Sequence, residues 1–96
     1  MILVGDIGNT ETKICLVNSD KKIVKKIIFN TKKISNSLLK KNFKRLNLKN
    51  LNIEKILFCS VVPKIFRLIK KYLKKFYNIT CYELKDLKIS NLIKIK

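Results

Sequence analysis

The chain begins with Met-Ile-Leu-Val-Gly-Asp-Ile-Gly-Asn-Thr at residues 1–10, and this stretch decides the fold. The apolar residues up to Ile7 predict a buried strand, because a short apolar run bounded by turn residues is typical of a core strand. Gly8 and Asn9 readily adopt positive φ, so they predict a tight hairpin turn. The alternating polar and apolar residues that follow predict the returning strand over 11–18.

A carboxylate lies near the end of the first predicted strand. Desolvating the charge of Asp6 is costly unless a cation or hydrogen bonds satisfy it. The turn after it can direct several backbone N–H groups and the hydroxyl of Thr10 into one concavity, which suits phosphate oxygens. The carboxylate could then hold Mg²⁺, directly or through water. The residues alone leave two interpretations open: a phosphate site, or an ordinary hairpin with a solvated aspartate.

The next elements are predicted from the spacing of apolar residues. Alternation over 22–29 predicts a third strand at the edge of the sheet, with its lysines exposed. Apolar residues at helical spacing predict a short helix from Ser35, its N-cap, to about Leu46. A loop is expected at 47–52.

The second half of the chain predicts a buried strand and a basic helix. The near-continuous apolar run at 55–62 is typical of a parallel strand. Pro63 suits the first position of a helix, which extends to about Tyr77. We expect this helix to pack on the sheet rather than to lie on a membrane or a nucleic acid. A fifth strand is predicted over 79–84, and the apolar tail at 89–95 can begin another element. The apolar face of the helix consists of Ile65, Phe66, Ile69, Leu73 and Phe76.

The predicted element order is β-β-β-α-β-α-β, an α/β fold with a mixed five-stranded sheet. No Gly/Ser-rich linker or internal repeat divides the chain, so residues 1–96 are expected to form one domain. Right-handed crossovers place strand 55–62 beside strand 2–8. Ser60 then faces the 8–10 turn at the carboxyl edge of the sheet, where such folds bind ligands.

The composition is strongly basic, with 23 Lys and Arg against 6 Asp and Glu and a formal net charge of +17. Such a charge suggests nucleic acid or an anionic membrane as a partner. Only Arg45 and Arg67 are arginines, however, and recognition of phosphates and bases relies on arginine. Lys, Ile and Asn share A/T-rich codons, so the bias is attributed to genome composition. Nucleic acid is therefore disfavoured as the main partner.

The cysteines and the absence of histidine exclude several kinds of site. The three cysteines are widely spaced and form no C-x-x-C pair, so zinc binding has no support. With no histidine, neither a Ser-His-Asp nor a Cys-His mechanism is available. Buried, reduced thiols predict a cytoplasmic protein. No apolar run approaches the length of a membrane span.

Two motifs carry a resemblance to a known family. Residues 6–10, Asp-Ile-Gly-Asn-Thr, resemble the first phosphate motif of the acetate/sugar kinase–Hsp70–actin superfamily, and more narrowly the start of the type III pantothenate kinases. Residues 60–63, Ser-Val-Val-Pro, resemble that family's strand-to-helix turn. Both motifs occur in the family's order. The resemblance implies a ribonuclease-H-like half-domain, the N-terminal lobe of a two-lobe kinase. Glu11 departs from the pattern, since the family usually has Asn there, and its charge repels phosphate.

The resemblance also implies a function. Mg-ATP would bind through its phosphates, with Asp6 holding Mg²⁺ through water, and the γ-phosphate would pass to pantothenate in coenzyme A biosynthesis. The family's Gly-x-Asp-Arg segment, which supplies the catalytic carboxylate and much of the pantothenate pocket, is expected beyond Lys96. No catalytic or substrate-binding residue is therefore assigned, and we expect this fragment alone to be inactive. The ATP-binding residues implied are Asp6, Ile7, Gly8, Asn9, Thr10, Glu11, Thr12 and Lys13.

Further expectations concern the longer protein. The family uses a monovalent cation, K⁺ or NH₄⁺, at a site outside this chain, and the full-length form is expected to be a homodimer. Pantothenate is expected to bind only with the missing lobe. Two alternatives stay open: a non-enzymatic regulator or nucleic-acid-binding module on the same fold, and another small-molecule kinase of the superfamily. Whether the chain is truncated, split or a relic is also open.

Overall fold

A computed structural model describes residues 1–84 as a five-stranded mixed sheet with two α-helices. The strand order is β3-β2-β1-β4-β5, in which β1 pairs antiparallel with β2 and parallel with β4. The predicted α/β class and the order β-β-β-α-β-α-β are therefore confirmed. The element expected at 89–95 lies outside the described residues. The bounds are β1 Ile2–Ile7, β2 Glu11–Val17, β3 Ile23–Asn30, α1 Asn36–Leu46, β4 Lys55–Ser60, α2 Pro63–Tyr77 and β5 Cys81–Glu83, with short 3₁₀ turns at Thr31–Lys33 and Leu48–Asn50.

Both helices pack on one face of the sheet and form the main core with it. This face receives alternate residues of each strand, because side chains in a strand point to opposite faces in turn. On β4 the core residues are Ile56 and Phe58, both with 0% exposure. The helices contribute Leu39, Phe43, Leu46, Phe66, Ile69, Tyr72 and Leu73. Within residues 1–84 no helix is long and apolar enough to span a membrane.

The helix ends follow their local sequence. The side chain of Ser35 accepts a hydrogen bond from the Leu38 N–H at 3.1 Å, which confirms the predicted N-cap of α1. Pro63 occupies the first turn of α2, where its missing N–H leaves no bond unmade. Asn47 and Asn78 end α1 and α2 in the left-handed conformation, which asparagine tolerates better than most residues.

The conformation predicted for the 8–10 turn is wrong. Neither Gly8 nor Asn9 has positive φ; Lys21, Asn47 and Asn78 are the described residues that do. The turn is instead closed by the Gly8 N–H, which donates to the Glu11 carbonyl at 3.0 Å. A Cβ on Gly8 would lie 3.0 Å from that same oxygen, so glycine relieves a tight contact here rather than supplying a left-handed backbone.

Two further expectations are corrected at the ends of elements. Strand β4 ends at Ser60 rather than at residue 62, because the Ser60 hydroxyl accepts the Val62 N–H at 3.0 Å and starts the turn into α2. Strand β5 is shorter than the predicted 79–84 and covers Cys81–Glu83.

The buried face of α2 also differs from the prediction at one position. Phe76, expected on that face, is 51% exposed. Tyr72 is buried instead, and its ring stacks on Phe43 with 5.8 Å between the ring centroids.

Candidate phosphate-binding site

The 8–10 turn lies at the carboxyl end of β1 and is held from both sides. Within the hairpin, Gly8 donates to Glu11 as described above. From the far side of β2, the Thr31 N–H donates to the Thr10 carbonyl at 2.9 Å. Asn9 and Thr10 are exposed, so the tip of the turn is open to a ligand.

The second motif meets the first at this edge. Ser60 is the register partner of Ile7 in the parallel β1–β4 pair. One residue later, the Val61 N–H donates to the Ile7 carbonyl at 3.0 Å. The sequence prediction that Ser60 lies beside the turn, at the carboxyl edge of the sheet, is thus confirmed. Two segments far apart in sequence are joined where open α/β sheets bind ligands.

Asp6 lies on the face of the sheet opposite the helices. Its register partners are Lys13 in β2 and Cys59 in β4, so these side chains share one row across the sheet. Asp6 and Lys13 are exposed and Cys59 is half-buried. The carboxylate therefore points to solvent beside the turn rather than into the core, with a lysine next to it.

Electrostatic effects on Cys59 locate a second carboxylate near this row. Burial raises the pKa of the Cys59 thiol, and the nearby charges of Asp6 and then of Glu83 raise it further. Glu83 is the register partner of Phe58, so both carboxylates lie near the carboxyl end of β4, where their negative potential favours a cation. Because its pKa is raised, the Cys59 thiol is mostly protonated near neutral pH and is a weak nucleophile there.

The predicted ATP-binding residues separate into exposed and buried ones. Ile7 belongs to the core at 0% exposure and offers a ligand no side chain. Thr12 is also at 0% exposure, and its hydroxyl forms a 2.8 Å hydrogen bond with the Thr31 hydroxyl. The side chains of Asp6, Asn9, Thr10, Glu11 and Lys13 are exposed, and Gly8 is half-buried.

Thr31 is the residue at this site that the sequence interpretation missed. It is 2% exposed, and both its N–H and its hydroxyl are bonded to the strand that leaves the turn. A usable signal was present, since Thr31 lies two residues beyond the third strand predicted over 22–29. A polar residue there falls opposite the turn, where an unpaired hydroxyl would be costly.

The residues present fit a magnesium ion bound partly by other ligands. In the described part of the chain, no group of three or more His, Cys, Asp and Glu side chains could hold a metal. Mg²⁺ commonly takes one or two carboxylates and completes its shell with water and substrate phosphates. A single exposed carboxylate such as Asp6, beside an open turn, matches that mode of binding.

The sheet order, the helices on one face and the turn at the carboxyl edge define the class: a ribonuclease-H-like α/β half-domain. A solved structure of the Ppx/GppA family member from Aquifex aeolicus has the same fold, with a TM-score of 0.50 and 13% sequence identity. The similarity covers 88% of this chain and 35% of that chain. At this identity the similarity supports the fold and no particular function.

The sequence identifies the family. The family model of type III pantothenate kinases matches residues 2–96, and the chain belongs to that family. A curated type III pantothenate kinase from Pelagibacter ubique (strain HTCC1062) is 62% identical over 96 residues. Those residues are 100% of this chain and 39% of that relative, so the chain spans well under half of the relative's length. The resemblance found in the two motifs is thus confirmed.

Proposed function

We propose that the chain is the ATP-phosphate-binding lobe of an enzyme that phosphorylates pantothenate in coenzyme A biosynthesis. The observation that carries this proposal is the junction of the two family motifs at one edge of the sheet, where the Val61 N–H donates to the Ile7 carbonyl at 3.0 Å. Membership in the pantothenate kinase family supplies the substrate class.

In this proposal the turn and the row beside it hold the phosphates. The exposed side chains of Asn9 and Thr10, together with backbone N–H groups of the turn, face the phosphate oxygens. Lys13 offsets part of their charge, and Asp6 holds Mg²⁺ through water. Bound Mg²⁺ would neutralise charge on the transferring phosphate, and the protein's own contribution is mostly positioning.

The proposal divides the work between this chain and the rest of the relative's length. No described residue here is assigned as the base that accepts the pantothenate proton. We assign that role, the pantothenate pocket and the monovalent-cation site to the part of the family that this chain does not span. Homodimerisation and a cytoplasmic location belong to the same proposal for the longer protein.

Isothermal titration with Mg-ATP at low ionic strength tests the site. We expect weak binding by the chain, and Asp6→Asn should weaken it roughly tenfold, because a charge-assisted interaction is lost. Asp20→Asn is the matched control, since Asp20 is an exposed aspartate in the turn between β2 and β3. Equal affinities for the two variants would show that the proposed site is wrong.

A further inference from the structure

The connection from β3 to α1 is bonded to the strand that leaves the phosphate turn. The Thr31 N–H reaches the Thr10 carbonyl at 2.9 Å, and the Thr31 hydroxyl lies 2.8 Å from the Thr12 hydroxyl. The N–H and the hydroxyl of this residue, which is 2% exposed, therefore both bond to residues 10–12. Two buried hydroxyls that bond to each other help to fix the backbones that carry them, because the loss of one removes a partner from the other.

The same connection carries two exposed lysines directly after Thr31. Asn30 pairs with Glu11 in the β2–β3 register, and its side-chain oxygen accepts the Lys32 N–H at 2.9 Å. This bond caps the 3₁₀ turn Thr31–Lys33, whose Lys32 and Lys33 are both exposed. The backbone of the two lysines is thus fixed one and two residues beyond Thr31, whose N–H bonds to Thr10 at the end of the turn.

The positive charge of these lysines is opposite in sign to the exposed carboxylates near the turn. Asp6 and Glu11 place two exposed carboxylates at the edge where an anion would bind, and each repels phosphate. Lys13 supplies one positive charge within the hairpin. Lysine binds phosphate as a point charge, so it suits a site where the backbone supplies the directional contacts.

We propose that residues 30–33 form the second wall of the phosphate site. Thr31 is a positioning residue that fixes the strand leaving the turn, and Lys32 and Lys33 contact the phosphate oxygens of the nucleotide and offset Glu11. This inference rests on the proposed function for its ligand, whereas the role of Thr31 concerns the protein alone.

Hydrogen exchange without nucleotide tests Thr31. Thr31→Val keeps the side-chain shape and the backbone N–H but removes the hydroxyl, so the Gly8 and Thr31 amides should exchange about tenfold faster. Amides of β4, such as Phe58, should be unchanged, and Thr31→Ser should restore slow exchange at the turn. Uniform acceleration across the sheet would show a purely structural role, and no acceleration at the turn would also overturn the proposal.

Titration with Mg-ATP tests the two lysines. The double variant Lys32→Gln and Lys33→Gln should bind about fivefold more weakly, with a shallower dependence on salt. The matched control is Lys74→Gln with Lys75→Gln, in the last turn of α2 at the opposite end of the sheet. Equal losses in the two double variants would contradict the proposal.

The two experiments separate this inference from the proposed function. If the unmodified chain binds no Mg-ATP, the proposed function of this chain and the role of the lysines both fail. The exchange measurement needs no nucleotide and still decides whether Thr31 holds the turn. If the chain binds Mg-ATP and the double variant Lys32→Gln and Lys33→Gln binds it with unchanged affinity, then the role of the two lysines is wrong and the proposed function stands.

Discussion

The two faces of the sheet use the same strands for different purposes. On the face that meets the helices, Leu3, Ile7 and Ile14 are all at 0% exposure and belong to the main core. The opposite face has its own small cluster of Val4, Cys15 and Val17, to which no described helical residue belongs. Adjacent residues thus have separate roles: Ile7 stabilises the fold, while its neighbour Asp6 is exposed beside the turn.

The face opposite the helices, called the open face below, also has exposed apolar side chains near the row of Asp6, Lys13 and Cys59. Tyr82 is 55% exposed and Ile28 is 46% exposed. Ile28 is the register partner of Lys13, so it lies in the same row as Asp6. The helix-covered face therefore contains the main core, and the opposite face carries the exposed polar side chains of the proposed site.

The largest contrast between the faces should appear with aromatic residues. Phe58→Ala removes a ring at 0% exposure from the covered face and should lower the free energy of unfolding by about 3–5 kcal/mol. Tyr82→Ala on the open face should change it by less than about 0.5 kcal/mol. Urea unfolding followed by circular dichroism measures both. Similar losses for the two variants would show that the open face is covered in solution.

A smaller effect is expected from adding one methyl group to the covered face. A Cβ on Gly5 would overlap the ring of Phe58, which lies directly across the β1–β4 pair. Gly5→Ala should therefore destabilise the fold by about 2–3 kcal/mol through overpacking. The second substitution Phe58→Leu should recover part of that loss, because it removes the clashing ring.

Non-additivity is the readout of the Gly5 prediction. The double variant should be more stable than the sum of the two single losses predicts, since the two residues are in contact. Gly8→Ala is the control, because its Cβ would lie 3.0 Å from the Glu11 carbonyl and would not contact Phe58, so its loss should add to that of Phe58→Leu. Strict additivity of Gly5→Ala and Phe58→Leu would contradict the packing described here.

The smallest expected effect concerns charge on the open face. Asp6 helps to raise the pKa of Cys59, so Asp6→Asn should lower that pKa and increase the thiolate fraction at any pH below it. We expect alkylation of Cys59 by iodoacetamide near pH 8 to become about two- to threefold faster, with solvent screening keeping the effect modest. Mass spectrometry resolves Cys59 from Cys15 and Cys81, which are buried.

The control for this measurement is Asp20→Asn, which changes the same charge in the turn between β2 and β3. It should leave the Cys59 rate unchanged, and the difference between the two variants should shrink as salt is added. Equal rates in Asp6→Asn and the unmodified chain would show that Asp6 does not act on this row.

The elements with local signals could be predicted from the sequence. Ser35 and Pro63 mark the starts of the two helices, and the apolar runs of β1 and β4 give the buried strands. The meeting of Ser60 with the 8–10 turn also followed, because right-handed crossovers leave few possible topologies. Assigning the turn to phosphate relied on the family resemblance, since the residues alone fit an ordinary hairpin equally well.

The failures have two causes, hydrogen bonds within a turn and contacts between segments distant in sequence. The backbone of Gly8 depends on its bond to the Glu11 carbonyl, and the role of Thr31 depends on pairing with Thr10 and Thr12. Phe76 fits the helical period of α2 but is half exposed. Tyr72 is buried instead, because its ring packs on Phe43 of α1. Periodicity gives the direction of a side chain, not the extent of the layer it faces.

The position of β3 bears on how copies of the chain behave toward one another. Among residues 1–84, this strand ends the sheet on one side, so its outer hydrogen-bonding groups form an edge that another strand could extend. Lys25 and Lys26 are exposed in the middle of that edge, and the Lys25 ammonium lies 3.5 Å from the Arg45 carbonyl of α1. A second copy approaching along β3 would bring like charges together, so these lysines disfavour edge-to-edge association of two copies.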